Sequence, residues 1–365
     1  MSGQFPELDQ HVQFVTAETL KARLDDGEEI TLLDTRRPAD FEAWHIEHPN
    51  IEPVNVPFTE FLDGEDPASE VPAGVPEGHL VTCCAKGISS AYVAEFLTHE
   101  GQTVEALEDG MRGWARLYEA VDLREAPLVR QYYRPSSGCL SYLVASGDAA
   151  VVIDPLRAFT DRYVADVEAL GARLEYAMDT HVHADHVSGV RALRDRTGAE
   201  VVLPRGAVER GLDYDATLVS DGEALSVGKT TIEVAALPGH TTEMTGYVIE
   251  DLLVGGDSLF LESVARPDLE DAERAREAAA TLYETVQKIA ERSPDDRLAP
   301  GHAGPAEQPG PGGGYTATIR TLQAENQVVD MDKDTFVTHS VENLPPRPSA
   351  FERIDRNQPG DRDGR

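Results

Sequence analysis

The sequence contains few cysteines, few lysines and no long apolar run. Its three cysteines, Cys83, Cys84 and Cys139, are too few for a disulfide framework, and a bridge between the adjacent pair would strain the backbone. No apolar run approaches the roughly 18 residues of a membrane span, and the first ten residues lack the basic and apolar regions of a signal peptide. These absences predict a cytoplasmic protein in which any function of the cysteines is reactive rather than structural.

Positive charge is also scarce. The 66 acidic residues outnumber the 32 basic ones, which gives a formal net charge of -34, and only five of the basic residues are lysines. Such an excess indicates a halophilic protein in a saline cytoplasm, where salt screens the repulsion between surface charges. An ordinary acidic protein in ordinary salt is the alternative. Either interpretation argues against nucleic acid or an anionic membrane as a partner.

The hydrophobic pattern divides the chain into two α/β parts. From about Thr16, helical and strand patterns alternate and predict a small domain with a parallel sheet, whereas from Gln131 strands dominate with helices between them. We therefore predict a first domain over residues 11–123, a linker over 124–130, a second domain over 131–350 and a polar tail over 351–365.

A cluster of histidine and aspartate residues follows a predicted strand in the stretch DTHVHADHVSG, residues 179–189. Imidazole and carboxylate groups gathered at a strand end form a ready site for a transition metal. Three further segments, LPGHTT, VGGDSLF and APGHAG, each place one such residue after a glycine at a predicted strand end. Together they provide seven candidate ligands: His181, His183, Asp185, His186, His240, Asp257 and His302.

This pattern, H-x-H-x-D-H followed by G-H, G-D and G-H, resembles the metallo-β-lactamase superfamily over roughly residues 130–345. The resemblance implies an αβ/βα sandwich with a metal site at one edge. Hydrolases, nucleases and oxygenases share this fold, so the ligands alone leave the reaction open. In a two-zinc hydrolase, the resemblance implies one zinc on His181, His183 and His240, a second on Asp185, His186 and His302, and Asp257 between them.

Two other stretches favour an oxygenase. The stretch GGDSLFLESVARPDL is similar to a segment of the persulfide dioxygenases, with Arg266 and Asp268 at the family's Arg and Asp positions and Ala265 where the family usually has Gly. The stretches ENLPPRPSAF and RNQPG resemble that family's C-terminal region, where thioester hydrolases of the glyoxalase II type carry a helical domain. The resemblance implies one Fe(II) per chain on His181, His240 and Asp257, surrounded by His183, Asp185, His186 and His302.

The implied reaction is oxidation of a low-molecular-weight thiol persulfide, such as glutathione persulfide, by O2 to sulfite and the free thiol. A two-zinc thioester hydrolase is the alternative. We expect Arg266 to pair with a carboxylate of the thiol carrier, because its planar group suits bidentate pairing, or else to form an ion pair with Asp268. We expect Thr241 and Tyr247 to support substrate binding. The family also implies a homo-oligomer.

The stretch HLVTCCAKGISSAYVAEF places a cysteine between a predicted strand and a predicted helix that Ser89 or Ser90 can cap. N–H groups at a helix start favour a thiolate, so we expect a nucleophile there. With the flanking motifs that contain Asp34, Arg36, His45, Gly110 and Trp114, this stretch resembles a rhodanese domain over residues 11–122. Its C-x-x-G-x-[RS]-S loop corresponds to Cys84, Ala85, Lys86, Gly87, Ile88, Ser89 and Ser90.

The rhodanese resemblance implies that Cys84 carries sulfur between a persulfide and sulfite or thiosulfate. Ser89 stands where many members have Arg, and Lys86 replaces part of that charge. An inactive docking module is the alternative. Cys139, inside a strand-like stretch, is expected to be a small buried hydrophobe.

Overall fold

The computed structural model describes residues 12–63, 66–304, 307–342 and 344. The chain divides into two compact units. The first unit takes in the chain up to Tyr118 together with Arg134–Gly138, and the second takes in Glu119–Tyr133 together with the chain from Cys139 onward. Among the described residues, no helix has the length and apolar character needed to cross a membrane. The predicted tail, 351–365, lies outside the described residues.

The first unit is a five-stranded sheet in the order β1-β5-β4-β2-β3, and all its neighbouring strands are parallel, as predicted. The strands are β1 (Gln13–Val15), β2 (Ile30–Asp34), β3 (Ile51–Asn55), β4 (His79–Cys83) and β5 (Thr103–Leu107). The helices are α1 (Ala17–Asp25), α2 (Pro38–Ala43), α3 (Ile88–His99) and α4 (Gly110–Trp114), and a short ribbon pairs Leu62–Asp63 with Asp66–Pro67.

Both faces of this sheet are covered. Successive side chains of a strand point to opposite faces, so Leu32 and Leu33 of β2 pack into different cores. Leu32 packs with Leu20 of α1, and Leu33 packs with Leu97 of α3. This burial on two faces explains the near-continuous apolar run of β2.

The second unit contains two sheets. The first is seven-stranded, in the order β12-β11-β10-β9-β8-β7-β6, and the second is six-stranded, in the order β13-β14-β15-β16-β17-β18. The first is built from β6 (Glu119–Glu125), β7 (Leu128–Tyr133), β8 (Leu140–Ser146), β9 (Ala149–Ile153), β10 (Arg173–Met178), β11 (Glu200–Pro204) and β12 (Thr217–Val219). The second is built from β13 (Ala224–Val227), β14 (Thr230–Ala236), β15 (Thr245–Ile249), β16 (Leu252–Gly256), β17 (Arg297–Pro300) and β18 (Ala317–Thr318).

Helices cover the outer faces of these two sheets. Val151 and Met178 of the first sheet share one core with Val234 and Val254 of the second, which shows that the two sheets face each other. On the outer side of the second sheet, Leu282 belongs to a core that includes residues of three helices. The helices are α5 (Thr160–Ala169), α6 (Val190–Thr197), α7 (Ala275–Ala290), α8 (Ile319–Glu325) and α9 (Lys333–Glu342). This arrangement is the predicted αβ/βα sandwich.

The segment predicted as a linker, 124–130, has regular structure instead. It contains the end of β6, the start of β7 and the turn between them. The two strands pair antiparallel, and β7 also pairs with β8, so the segment belongs to the seven-stranded sheet. Its polar composition hid this pattern, because β6 lies at the edge of the sheet and is only partly buried.

Candidate functional site

Each predicted metal-ligand segment begins shortly after a strand ends. His181 follows β10, His240 follows β14, Asp257 directly follows β16 and His302 follows β17. Strands β14, β16 and β17 run in the same direction through the second sheet, so their carboxyl ends meet at one edge. The strands therefore bring side chains that are far apart in sequence to one place.

Three of these residues, His181, His240 and Asp257, form a buried group whose possible ligand atoms lie within 4.8 Å of one another. The Nε2 atoms of His181 and His240 lie 3.9 and 3.7 Å from Oδ2 of Asp257. Within the part of the chain that the structure describes, Nε2 of His181 has no hydrogen-bond partner. A buried polar atom without a partner costs free energy. The arrangement therefore fits a metal ion, which would bind that nitrogen.

The second ring nitrogen of each histidine faces an oxygen. Nδ1 of His181 lies 2.9 Å from Oγ1 of Thr180, and Nδ1 of His240 lies 2.9 Å from the carbonyl oxygen of Arg266. Because a carbonyl only accepts, His240 carries its proton on Nδ1 and directs the lone pair of Nε2 towards Asp257. Burial lowers the pKa of His181 and of His240, which keeps both rings in the neutral form that binds metals.

Three more predicted ligands lie beside this group and are hydrogen-bonded to one another. Oδ2 of Asp185 lies 2.8 Å from Nδ1 of His186 and 3.1 Å from Nε2 of His302. Nδ1 of His302 in turn lies 2.7 Å from Oδ1 of Asp257. Burial lowers the pKa of His302, but the charges of Asp257 and Asp185 outweigh it and raise that pKa well above its ordinary value. His302 therefore donates a hydrogen bond to each carboxylate.

The seventh predicted ligand, His183, pairs with a residue that the sequence did not single out. Its Nε2 lies 3.1 Å from Oδ1 of Asp154, which also accepts a 2.7 Å hydrogen bond from the backbone N–H of Thr180. Asp154 directly follows β9, is buried and adopts a left-handed conformation with φ of 53°. The sequence offered one signal for Asp154, which is its position directly after the apolar run VVI. A carboxylate in such a buried setting needs hydrogen-bond donors around it, so this position indicates a polar contact.

Cys139 is buried, as expected, but it is more than an apolar side chain. Its Sγ lies 3.0 Å from Oδ2 of Asp185, and its backbone forms an isolated bridge with His302. No pattern in the sequence indicates this contact, because Cys139 and Asp185 are 46 residues apart.

A cavity of about 360 Å³ opens beside the group of His181, His240 and Asp257. Apolar side chains line much of it: Phe260, Val264, Ala265, Leu269 and Leu344. Arg266 also lines the cavity, and its Nε and Nη2 donate 2.8 and 3.0 Å hydrogen bonds to the two oxygens of Asp268. This is the ion pair that the sequence left open as an alternative role for Arg266.

Thr241 and Tyr247 are not among the described residues that line this cavity. Tyr247 is fully buried in the core between the two sheets, and its hydroxyl donates a 2.8 Å hydrogen bond to the carbonyl oxygen of Asp179. Thr241 is buried as well and is not among the described residues that line the cavity. Successive side chains of β15 point to opposite faces of the sheet, and Tyr247 points to the face inside the core. Its position therefore differs from the expected one beside the substrate.

In the first unit, Cys84 directly follows β4, in the short loop that leads to α3. The helix begins at Ile88 after Gly87, whose φ of 79° is left-handed, and no serine caps it. Instead, the hydroxyl of Ser90 lies 3.3 Å from Sγ of Cys84. Ser90, one of the two serines expected to cap the helix, therefore contacts the sulfur of Cys84 instead.

The two adjacent cysteines differ in environment. Burial raises the pKa of Cys84, but hydrogen bonds from the hydroxyls of Ser89 and Ser90 and from backbone N–H groups outweigh it and lower that pKa below its ordinary value. Cys83 packs into the core with Trp114, and burial raises its pKa well above the ordinary value. This contrast favours Cys84 as the thiolate.

Among the residues predicted as a scaffold, Arg36 pairs with Asp34, and Gly110 lies against the loop around Cys84. Ala85, Lys86 and Ile88 are exposed. Arg36 donates hydrogen bonds to both oxygens of Asp34 and to the carbonyl of Trp44, and His45 lies 3.1 Å from the carbonyl of Phe41. Gly110 lets the start of α4 approach the loop around Cys84, because a Cβ at this position would lie 2.0 Å from the carbonyl oxygen of Cys84.

Comparison with known proteins matches both units. The profile of the metallo-beta-lactamase superfamily matches residues 135–302, and that of the rhodanese-like domain matches residues 16–117. Human persulfide dioxygenase ETHE1, a protein named as mitochondrial, is 33% identical over 181 residues, which are 48% of this chain and 68% of the human protein. The chain belongs to the persulfide dioxygenase family of the metallo-β-lactamase superfamily. It joins that unit to a rhodanese-like domain.

A solved structure agrees with this membership. The crystal structure of ETHE1 from Myxococcus xanthus has a TM-score of 0.56 and 26% identity, and the match covers 63% of this chain and 98% of that one. A hydroxyacylglutathione hydrolase from Acidiphilium cryptum is 29% identical over 163 residues, 44% of this chain and 63% of that protein. The match thus spans about two thirds of the length of each of these two curated relatives. Membership of the superfamily implies an enzyme with a bound metal, for which the candidate ligands are present.

Proposed function

We propose that the second unit is a persulfide dioxygenase. It converts one thiol persulfide, one O2 and one water to one free thiol, one sulfite and two protons. The sulfane sulfur loses four electrons to O2, its bond to the carrier sulfur breaks, and the carrier sulfur leaves as the thiol. The similarity to human persulfide dioxygenase supports this reaction, and the group of His181, His240 and Asp257 supports the site.

The observation that carries the proposal is the convergence of two imidazole nitrogens and one carboxylate oxygen. Two histidines and one carboxylate that leave other coordination positions open are typical of non-haem Fe(II) oxygenases. An Fe(II) ion bound there supplies one-electron chemistry and open positions, which the reaction of a persulfide with O2 needs. We propose one Fe(II) per chain.

The hydrogen bonds of His302 support a single metal. The two-zinc alternative would need His302 as a ligand and would share Asp257 between the metals. Here both ring nitrogens of His302 are hydrogen-bonded to carboxylates, Nδ1 to Oδ1 of Asp257 and Nε2 to Oδ2 of Asp185. His183, Asp185 and His186 form a second group whose possible ligand atoms lie within 4.8 Å of one another, and the two-zinc alternative would use that group. We propose that these residues instead hold the iron ligands in place.

We propose that the carrier part of the persulfide occupies the 360 Å³ cavity. Its apolar side chains favour the alkyl part of a carrier. Arg266 is the cavity-lining residue proposed to meet a carboxylate of the carrier, and Asp268 fixes the plane of its guanidinium. Glutathione is the carrier that the resemblance implies.

We propose that Cys84 transfers sulfane sulfur. The thiolate of Cys84 attacks the sulfane sulfur of a persulfide, the carrier leaves as a thiolate, and sulfite then takes the sulfur from Cys84 to give thiosulfate. Its lowered pKa and the N–H groups of the following loop support the thiolate. The sulfite that one unit forms is thus an acceptor for the other.

The experiment that tests the dioxygenase is metal analysis of protein purified without oxygen, combined with O2 uptake after addition of glutathione persulfide. We expect about one iron per chain and rapid O2 uptake, both lost in the Asp257→Ala variant. The Cys84→Ser variant is the matched control, because it removes sulfur transfer to sulfite and leaves O2 uptake unchanged. Iron-loaded protein that takes up no O2 with any thiol persulfide would refute the proposal.

A two-zinc thioester hydrolase is the second candidate. It is favoured by the presence of all seven ligands and by the similarity to the hydroxyacylglutathione hydrolase. About two zinc ions per chain, together with acyl-thiol cleavage without O2, would identify it. We further propose that the protein works in a saline cytoplasm, with small sulfur compounds rather than nucleic acid as its partners, as its net charge of -34 suggests. We also propose a homo-oligomer, which the family resemblance implies.

A further inference from the structure

Thr180 lies between a buried carboxylate and a proposed metal ligand. Its Oγ1 is 2.9 Å from Oδ2 of Asp154 and 2.9 Å from Nδ1 of His181. Its backbone N–H donates a 2.7 Å hydrogen bond to Oδ1 of the same aspartate. Thr180 is fully buried, so water cannot replace its hydroxyl in either contact.

The direction of each hydrogen bond in this series follows from the chemistry of the groups. An ionised carboxylate only accepts, so the hydroxyl of Thr180 donates its single proton to Asp154. The oxygen of Thr180 is then left as an acceptor for Nδ1 of His181. A neutral imidazole carries one proton, so Nε2 of His181 has none and offers its lone pair. That nitrogen is the one 3.9 Å from Oδ2 of Asp257.

We propose that Thr180 is a positioning residue that, together with Asp154, fixes the proton of His181 on Nδ1 and keeps Nε2 available for the metal. Neither residue belongs to the seven predicted ligands. Because His181 is a ligand only in the proposed metal site, this role rests on the proposed function.

Packing holds Thr180 in the required orientation. A Cβ at Gly256 would lie 2.6 Å from Oγ1 of Thr180, so this glycine, just before Asp257, makes room for the hydroxyl. The carbonyl of Thr180 accepts a 2.9 Å hydrogen bond from the N–H of Thr245 on the opposite sheet. The threonine therefore joins the segments of two metal ligands, and its hydroxyl has little freedom to turn elsewhere.

The Asp154→Asn variant tests the proton direction with almost no change in shape. The amide oxygen must face the N–H of Thr180, so the amide NH2 faces Oγ1 and donates to it. Thr180 then donates to Nδ1 of His181, and the proton of the ring moves to Nε2. An aspartate-to-asparagine change in a catalytic triad is known to leave the geometry intact while selecting the wrong histidine tautomer.

The readouts are direct. In metal-free full-length protein with 15N-labelled histidine, the His181 signals, identified by their loss in His181→Gln, are expected to change from the Nδ1–H to the Nε2–H tautomer in Asp154→Asn. Affinity for Co(II), followed by visible absorption, and for Fe(II), followed by competition with a chelator, is expected to fall about 10–100-fold, the usual effect of losing such a partner.

The Thr180 variants provide an independent series. Thr180→Val keeps the shape but removes the hydroxyl, and is expected to lower the metal affinity in the same range, whereas Thr180→Ser is expected to restore it. Thr230→Val is the matched control, because it removes another buried threonine hydroxyl, which bonds Ser146. Its metal affinity is expected to equal that of the wild type.

The outcomes separate this inference from the proposed function. Wild-type protein that binds neither Co(II) nor Fe(II) would refute the metal site itself. Wild-type protein that binds metal, with Asp154→Asn and Thr180→Val binding equally well and His181 keeping its tautomer, would overturn only the role of Thr180. If Asp154→Asn does not fold, as judged by circular dichroism, the comparison of Thr180→Val with Thr180→Ser decides.

Discussion

His302 lies between Asp257 and Asp185 and is hydrogen-bonded to a carboxylate at each ring nitrogen. Because Oδ1 of Asp257 accepts a hydrogen bond from His302, Oδ2 is the oxygen left for a metal. The hydrogen bond to Asp185 fixes the plane of the His302 ring. The sequence left His302 open as a support for the iron ligands or as a ligand of a second metal, and these contacts fit the first role.

We predict that His302→Ala lowers affinity for Fe(II) about tenfold or more, because Asp257 loses the donor that orients it. The measurement is competition with a chromogenic chelator. His339→Ala is the matched control, since His339 lines the same cavity without being a proposed ligand or ligand support, and we expect its affinity to stay at the wild-type value. An unchanged affinity in His302→Ala would remove the proposed support.

The number of metal ions gives a second prediction. We expect about one metal per chain in both the wild type and His186→Ala, and none in Asp257→Ala. The reason is that Asp257 belongs to the group that includes His181 and His240, whereas His186 does not. Elemental analysis after anaerobic purification measures this. A fall from two metals to one in His186→Ala would instead support the two-zinc hydrolase.

The cysteines should differ in reactivity. We predict that Cys84 reacts with a small alkylating reagent at neutral pH faster than Cys83, because hydrogen bonds lower the pKa of Cys84 while burial raises that of Cys83. The rate for Cys84 should reach its plateau at a lower pH than that of an ordinary thiol, since its thiolate forms earlier as the pH rises.

The Ser90→Ala variant tests whether the hydroxyl of Ser90 contributes to the lowered pKa of Cys84. Removal of this hydroxyl takes away a hydrogen bond to the thiolate of Cys84 and should slow alkylation several-fold at neutral pH. Mass spectrometry of the labelled peptides gives each rate separately. Equal rates for Cys84 and Cys83 would contradict the contrast between their environments.

Two glycines with left-handed conformations should differ in their tolerance of a side chain. We predict that Gly110→Ala destabilises the first unit by about 2–4 kcal/mol, from backbone strain together with the close approach to the carbonyl of Cys84. Gly101→Ala, with no atom within 4 Å of its Cβ, should cost only about 1 kcal/mol. Denaturant unfolding measures both, and equal losses would show that the contact is unimportant.

The net charge of -34 predicts that salt stabilises the protein. We expect Tm to rise by several degrees between low salt and molar KCl, because screening weakens the repulsion between acidic side chains. Calorimetry with KCl and with an equal concentration of a neutral solute separates screening from other effects. A Tm that does not respond to KCl would favour an ordinary acidic protein.

Much of the site was predictable because its residues are rare and regularly spaced. The pattern H-x-H-x-D-H and the three glycine-preceded residues supplied the group of His181, His240 and Asp257, and C-x-x-G singled out Cys84. The strand-like runs before them also indicated where these residues lie, since buried strands have a strong hydrophobic pattern.

The partners of these residues were not predictable. Asp154 and Thr180 are common residue types, and their importance comes from burial beside His181, which depends on the pairing of β9 with β10. The contact of Cys139 with Asp185 depends in the same way on tertiary structure. The hairpin of β6 and β7 was missed because an edge strand has too little burial to show alternation.

The position of the ligands after strand ends has an evolutionary consequence. His181, His240, Asp257 and His302 all lie on connecting segments, while the strands that precede them fill the core. A relative can therefore acquire a different reaction by exchanging one connection, without repacking either sheet. Relatives with the same two sheets can thus catalyse oxidation or hydrolysis, because changes confined to one connecting segment leave the core intact.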